Sequence, residues 1–126
     1  MKHYKNLKEL MDDVPYNYEG WENGYEVVSN IVYEALNEAE KLDISLDAIE
    51  TLENYIEDIT NEEIDRALIF YDDIWDMLKH YENPLTVDYN RAYESFLCDI
   101  CECINDWVSD CKDAISEYLE ELEDEE

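Results

Sequence analysis

The sequence predicts an all-α fold, a helical bundle of four main helices plus a short N-terminal helix. Apolar residues recur at intervals of three and four, the spacing that places them on one side of an α-helix. The apolar-polar alternation of half-buried strands is absent, and the 126 residues include only two Gly and two Pro. A chain of this length fits one domain with its own core. Residues 1–126 are therefore predicted to form a single acidic helical domain.

The first half of the chain is predicted to contain three helical segments. Lys5 to Asp13 has helical spacing and stops before Pro15. A heptad pattern then follows, with apolar residues at Trp21, Tyr25, Val28, Val32, Ala35, Ala39 and Leu42. Ser45 is a predicted N-cap for the third segment, a short helix. The apolar positions of this short helix are Leu46, Ile49, Leu52, Ile56 and Ile59.

The next helix is predicted to begin at a capping box. Thr60 and Glu63 have the required spacing, in which each side chain can bond to the backbone N–H of the other residue. Residues 67–71 are apolar on nearly all sides of the helix, which favours a central position in the bundle. Asn83-Pro84 is predicted to end this helix, because the residue before a proline avoids the helical conformation.

The last helix is predicted to extend from about Asp88 to Leu122, or roughly 50 Å at 1.5 Å per residue. Its apolar residues are Tyr93, Leu97, Ile100, Ile104, Trp107, Cys111, Ala114 and Tyr118. No Gly or Pro interrupts this pattern between Cys98 and Cys111, so the helix is predicted to be continuous there. Residues 120–126 hold six acids and are predicted to form a frayed acidic tail.

The charge of the chain restricts its partners. There are 36 Asp and Glu against 8 Lys and Arg, giving a formal net charge of −28, whereas a small domain stays soluble with a net charge magnitude of about 2–8. Acidic surfaces are repelled by nucleic acids and anionic membranes.

No signal-peptide pattern follows the N-terminal lysines, and no segment approaches the roughly 20 apolar residues of a membrane span. We expect a cytoplasmic protein with basic protein partners and no direct contact with nucleic acid or membranes.

Acidic residues form two neighbouring rows on the last helix. We term six of them the acidic ladder: Asp99, Asp106, Asp110, Asp113, Glu117 and Glu120. The rows are about 40° apart on a helical wheel, away from the apolar positions. Successive members three or four residues apart have Cβ atoms about 5–6 Å apart, and phosphates of one nucleic-acid strand step by about 3.4 Å along the axis. The ladder is therefore predicted to be a partner-binding surface that imitates phosphates. The competing interpretation is an ordinary solvated helix face.

The four cysteines do not have the pattern of a metal or redox site. They are Cys98, Cys101, Cys103 and Cys111, all within the last helix. Zinc sites commonly add a second CxxC or a His pair, whereas His3 and His80 are remote in sequence. A disulfide framework would spread cysteines along the chain. We predict packing thiols that are neither bridged nor metal-bound, with Cys111 on the apolar side of the helix, Cys101 beside it and Cys98 further out.

No residue pattern indicates catalysis. The chain has no phosphate-binding glycine loop, no His-Glu-x-x-His and no EF-hand motif, so it is predicted not to be an enzyme and to need no cofactor. Tyrosines in predicted loops or helix starts could instead anchor a partner, because Tyr is enriched in interface hot spots. They are Tyr4, Tyr16, Tyr18 and Tyr89. Packing of the loops against the core is the alternative use of these rings.

In size, charge, tyrosine content and helical pattern, the chain resembles the acidic DNA-mimic proteins that phages and mobile elements use against restriction enzymes and CRISPR nucleases. The resemblance covers the whole chain and is carried by composition rather than by a motif. It implies a stoichiometric inhibitor that blocks the nucleic-acid-binding cleft of a Cas or restriction nuclease, in the cytoplasm of the infected or host bacterial cell. Many such proteins dimerise, and the length of the last helix permits a homodimer.

Two other classes share these features. An immunity protein that neutralises a basic nuclease toxin is also a small acidic helical bundle with exposed tyrosines. It would use one compact acidic patch with tyrosine anchors, whereas a mimic would use an extended row of acids. An acidic chaperone for a basic protein is the third class, and it would bind many basic proteins rather than one.

Overall fold

The computed structural model describes residues 3–16, 22–70 and 89–125. Over these ranges the chain is mostly helical and contains no strand, which confirms the all-α prediction there. The helices are α1 (Leu7–Asp12), α2 (Glu22–Ala39), α3 (Leu46–Phe70) and α4 (Tyr89–Glu125). None of the described helices is long and apolar enough to cross a membrane.

Helix α1 is short, and hydrogen bonds fix its N-terminal end. The Oδ1 atom of Asn6 accepts from the backbone N–H of Glu9 at 3.0 Å, and the Glu9 carboxylate accepts from the backbone N–H of Lys5. These side chains satisfy donors that a helix N-terminus leaves without partners. The Leu7 N–H donates to the Leu42 carbonyl at 2.9 Å, which ties α1 to the connection between α2 and α3. The helix lies within the predicted segment Lys5 to Asp13.

The start of α3 confirms one predicted cap, and its middle contradicts another. The Oγ atom of Ser45 accepts from the Ala48 N–H at 3.0 Å, as expected of an N-cap. No helix starts at Thr60, however, because α3 continues through this residue. The Thr60 hydroxyl donates to the Ile56 carbonyl at 2.7 Å, the intrahelical bond that threonine makes within a helix. Glu63 is buried and forms an ion pair with Arg66 at 3.0 Å rather than a capping bond.

Residues 71–81 and the predicted end at Asn83-Pro84 lie outside the described residues. The apolar run at 67–71 is described only in part: Ala67 is fully buried in α3.

All four helices contribute to one hydrophobic core. Helix α2 packs on α1 and α3, and α4 packs on the other three helices. The largest buried side chains include Trp107 and Phe96 of α4, Ile31 of α2 and Ile64 of α3. Burial of a large apolar side chain stabilises the fold by about 1.5–3 kcal/mol, so these contacts offset the repulsion within a chain of net charge −28. The core contacts place one side of α4 against the other helices and leave the rest of its surface outside.

Helix α4 has 37 residues, or about 55 Å at 1.5 Å per residue. It is continuous from Cys98 to Cys111, as predicted, because neither Gly nor Pro occurs between its ends. It extends to Glu125, three residues beyond the predicted end at Leu122. Most of the predicted acidic tail is therefore helical in this structure, and fraying of that tail stays a prediction.

Candidate protein-binding surface

The acidic ladder lies on the outer side of α4. Five of its members are exposed: Asp106, Asp110, Asp113, Glu117 and Glu120. Asp99, the sixth member, is half-buried. The buried side chains of the same helix lie away from the ladder: at 100° per residue, Trp107 is about 100° and Cys111 about 140° from the centre of the ladder. The five exposed carboxylates therefore form a row about 21 Å long, from residue 106 to residue 120, at 1.5 Å per residue.

Among the described residues, no cation neutralises this row. Four Lys and Arg residues form ion pairs with acids elsewhere: Lys8 with Asp12, Lys41 with Glu38, Arg66 with Glu63 and Lys112 with Glu53. Hydrogen bonding to Asp12 raises the pKa of Lys8, and hydrogen bonding to Glu53 raises the pKa of Lys112, so both amines keep their charge in these pairs. Within the described ranges, no cation lies within ion-pairing distance of the five exposed ladder carboxylates. Their negative field is thus available to a partner.

The N-terminal segment packs beside the C-terminal part of the ladder. The rings of Tyr4 and Tyr118 meet edge to face, with centroids 5.2 Å apart. The Tyr4 N–H donates to the Tyr118 hydroxyl at 3.1 Å, and the Tyr4 hydroxyl donates to Asp13 Oδ2 at 2.7 Å. A groove of about 230 Å³ lies between the two elements, and Glu117 of the ladder is part of its wall. These contacts hold α4 in place along the ladder.

The aromatic side chains divide into supporting and exposed residues. Tyr4 and Tyr16 pack against the core, which supports the loop-packing interpretation for both. The Tyr16 ring contacts Trp107 edge to face at 6.5 Å, and its hydroxyl lies 3.0 Å from Ser29 Oγ. Burial raises the pKa of Tyr16, so this hydroxyl stays protonated at neutral pH. The side chains of Tyr18 and Tyr89 lie outside the described residues.

Helix α2 carries two exposed tyrosines that were not among the predicted partner contacts. Tyr25 occupies a predicted core position but is 52% exposed, so that prediction is wrong. Its ring stacks on Tyr16 with centroids 6.3 Å apart, at the edge of the core. Tyr33 is 64% exposed. The exposure of Tyr33 could have been predicted from the sequence, because this residue lies outside the heptad pattern of α2. Both rings could contact a partner protein.

Cys111, Cys101 and Cys98 occupy the predicted sides of α4. Cys111 is buried, Cys101 and Cys103 are half-buried, and Cys98 is exposed. All four are thiols, and the described residues contain no group of three His, Cys, Asp or Glu side chains that could hold a metal ion. Burial raises the pKa of Cys111 to about 12 and also raises the pKa values of Cys101 and Cys103.

Thiol-reactive reagents are expected to distinguish these cysteines. Cys98 should be alkylated first at pH 8, because the thiolate is the reactive form and this side chain is exposed. Cys111 should resist alkylation until the pH approaches 12 or the chain unfolds, since burial keeps its thiol protonated. Time-resolved mass spectrometry of the alkylated protein checks the order, with a urea-unfolded sample as the control. Rapid modification of Cys111 in the folded protein at pH 8 would contradict the packing described for α4.

The row of exposed carboxylates on α4 is suited to binding a basic surface. Its charges sit on one continuous helix, and the core and the N-terminal segment support that helix from the other side. Ionised carboxylates accept charge-assisted hydrogen bonds from Arg and Lys, and Arg can bind both oxygens at once. No protein-family model, curated protein or solved structure matches this chain.

Proposed function

We propose that this protein is a stoichiometric inhibitor that mimics nucleic acid and blocks the basic nucleic-acid-binding cleft of a host defence nuclease of the CRISPR or restriction type. It would act in the cytoplasm of the infected or host bacterial cell. The observation that carries the proposal is the row of five exposed carboxylates on α4, without cations beside it among the described residues.

The dimensions of the row fit this role. Its length of about 21 Å corresponds to roughly six phosphate steps of 3.4 Å. A nuclease cleft neutralises phosphates with Lys and Arg, and the same side chains can bind carboxylates. The acidic groups would therefore occupy the positions of backbone phosphates while offering no bond that the nuclease can cleave.

In this proposal, the helical scaffold holds the row of carboxylates rigidly. We infer that the helices form the bundle that the sequence predicts. The buried side of α4 contacts every other described helix, so the carboxylates are held in a fixed order before binding. Preorganisation reduces the conformational entropy lost on association. No chemical step is needed, because occupation of the cleft is itself inhibitory.

The proposal predicts inhibition at a fixed molar ratio. Affinity capture from a host lysate at low and then high salt identifies the target, because electrostatic association weakens with salt. Titration of the captured nuclease should then reach full inhibition at a fixed number of inhibitor chains per nuclease. The control is a variant in which the five exposed ladder carboxylates are replaced by Asn or Gln. Inactivation of many nuclease molecules by one inhibitor chain would show an enzyme rather than a mimic.

The exposed tyrosines of α2 favour a second candidate function, an immunity protein for a basic nuclease toxin. Tyr25 and Tyr33 are exposed on the helix next to α4, and aromatic anchors of this kind dominate compact interfaces. Replacement of both by alanine distinguishes the candidates. If the double alanine variant loses more binding than the variant with the neutralised ladder, a toxin is the favoured target. A spread of unrelated basic proteins in the capture experiment would favour an acidic chaperone.

A further inference from the structure

The groove between the N-terminal residues and α4 brings aromatic rings, carboxylates and apolar side chains together in one small space. Its α4 side is a single stripe of the helix at positions i, i+3, i+4 and i+7, formed by Ala114, Glu117, Tyr118 and Glu121. Its other side is formed by Tyr4, Leu10, Asp13 and Val14. We term this feature the N-terminal groove. Its mixed lining distinguishes it from the ladder, which presents carboxylates alone.

The rings that line the N-terminal groove are held in place by the fold. Tyr118 is 8% exposed, and its ring meets that of Tyr4 edge to face. Its hydroxyl oxygen accepts from the Tyr4 N–H at 3.1 Å, and the Tyr4 hydroxyl in turn donates to Asp13 Oδ2 at 2.7 Å. Leu10, also in the lining, is part of the hydrophobic core. The groove is therefore formed before a ligand enters, which reduces the entropy lost on binding.

The charge of the groove selects a cation. Glu117 and Glu121 are exposed, and at i, i+4 their Cβ atoms lie about 5–6 Å apart. Among the described residues, the lining contains no Lys, Arg or His, and neither glutamate forms an ion pair. Aromatic rings also attract cations placed over their faces. An anionic ligand would be repelled, whereas a cation has both the carboxylates and the rings as partners.

The size of the groove restricts that cation to a single long side chain. The groove volume of about 230 Å³ corresponds to roughly seven or eight water molecules at about 30 Å³ each. An arginine side chain has a similar number of non-hydrogen atoms. Val14 and Ala114 offer apolar surface to its methylene groups, and its planar guanidinium can bond to a carboxylate through two N–H groups and stack on a tyrosine. Lysine, a strongly hydrated point charge, uses fewer of these features.

We propose that the N-terminal groove receives one arginine side chain of the basic partner protein. This assignment rests on the proposed function in one respect, because it takes the partner to be basic. Glu117 belongs to both the groove and the ladder, so the arginine enters at the C-terminal part of the same binding surface. The ladder steers a basic surface by its field, and the groove fixes the position of that surface through one anchoring side chain.

Titration with a blocked arginine tests the groove without the target. N-acetyl-arginine amide is added to the full chain, and the methyl groups of Leu10, Val14 and Ala114 are followed by proton–carbon NMR. Saturable shifts at these methyl groups are expected in the millimolar range. N-acetyl-citrulline amide, a neutral compound of nearly the same shape, should cause no shift, and N-acetyl-lysine amide should bind at least about threefold more weakly. Equal binding of the arginine and lysine compounds, or shifts confined to the ladder, would overturn the proposal and leave the proposed function intact.

Two matched glutamate variants test the charge of the groove. Glu121→Gln should weaken binding of the arginine compound at least about threefold, because it removes one carboxylate of the lining. Glu123→Gln removes the same charge from an exposed side chain of the same helix, about 160° away on the helical wheel. This control should bind nearly as the parent does. Equal losses in the two variants would mean that binding follows net charge alone, and the assignment of the groove would then be wrong.

A steric pair of variants tests the groove in the complex with the captured target. Ala114→Leu fills the groove without a change of charge and should weaken target binding about tenfold, mainly through faster dissociation. Ser116→Leu places the same side chain at an exposed position about 160° away on the helical wheel, and it should bind as the parent does. An unchanged affinity for Ala114→Leu would overturn the proposal, even where the variant with the neutralised ladder loses binding and supports the proposed function.

Circular dichroism of each variant accompanies these measurements. If helix content falls in Ala114→Leu, then Glu121→Gln takes its place in the binding assay, since Glu121 is exposed. It should weaken target binding more than Glu123→Gln does. Equal target affinities of these two variants would overturn the proposal.

Discussion

Neutralising the exposed ladder is expected to weaken binding of the basic target by roughly 100-fold at low salt, since five modest surface charge interactions are lost together. The variant carries D106N, D110N, D113N, E117Q and E120Q. Its helix content should match that of the parent, because these side chains are exposed and lie away from the core. The loss should appear mainly in the association rate, as a diffuse acidic field steers a basic partner. Surface plasmon resonance at several salt concentrations measures both rates.

A second variant separates the ladder from net charge alone. D43N, E50Q, D58N, E62Q and D65N remove the same five negative charges, three from Asp and two from Glu, and all five residues are exposed on or just before α3. This control should lose less than about tenfold in affinity, because distant charges contribute only a screened, long-range attraction. Equal losses would show that net charge, and not the ladder, determines binding. A larger loss in the α3 variant would place the binding surface on that helix.

Replacing Trp107 by alanine is expected to lower the free energy of unfolding by about 3–5 kcal/mol, as for other large-to-small core substitutions. The indole is 1% exposed, contacts Tyr16, and donates from Nε1 to the Val14 carbonyl at 3.2 Å. Trp107→Phe keeps most of the packing and should cost about 1–3 kcal/mol for the lost hydrogen bond and the smaller ring. Urea denaturation followed by circular dichroism measures both values.

The exposed Tyr33 provides the control for that experiment. Tyr33→Ala should change stability by no more than about 0.5 kcal/mol, as is usual for surface positions. Added salt should raise the stability of all three variants and of the parent, because it screens repulsion within an acidic chain. A cost below about 1 kcal/mol for Trp107→Ala would contradict the packing of the N-terminal segment against α4.

Apolar periodicity was sufficient to predict the course of α4, and the N-cap preference of serine was sufficient to predict the start of α3. Trp107, Cys111 and Ile104 are buried as their spacing predicts, and Ser45 caps α3. Phe96 is fully buried although the predicted apolar set omitted it. Phe96 and Leu97 are adjacent, and both fall near the apolar side of the helix. Spacing alone therefore could not decide which of the two is fully buried.

The error at Thr60 has a different origin. The pattern Thr-x-x-Glu occurs both at helix starts and within helices, and the backbone conformation at Thr60 decides between them. Within α3 the Thr60 hydroxyl donates to the Ile56 carbonyl. The backbone N–H groups that follow Thr60 are paired within the continuous helix, so none is left for Thr60 to cap. Tertiary packing that buries Ile64 and Glu63 keeps the helix continuous there. This information is not local to the four-residue pattern.

The candidate site was also only partly predictable. Exposure of five ladder residues follows from their angle to the apolar positions, but the half-burial of Asp99 does not. The pairing of Lys112 with Glu53 joins residues of two helices that are distant in sequence, so the pattern of α4 alone could not indicate it. The exposed rings of Tyr25 and Tyr33 likewise depend on how α2 packs against its neighbours.

Competition with nucleic acid tests the central claim most directly. A fluorescent duplex that the captured target binds is mixed with the target, and the protein is added while fluorescence anisotropy is recorded. Nucleic-acid mimicry predicts complete displacement of the duplex. The apparent affinity of this protein for the target should fall in proportion to the concentration of added duplex. For the variant with the neutralised ladder, this affinity should be roughly 100-fold lower than for the parent. A ternary complex of target, duplex and this protein, detected at saturating concentrations of all three, would contradict the claim.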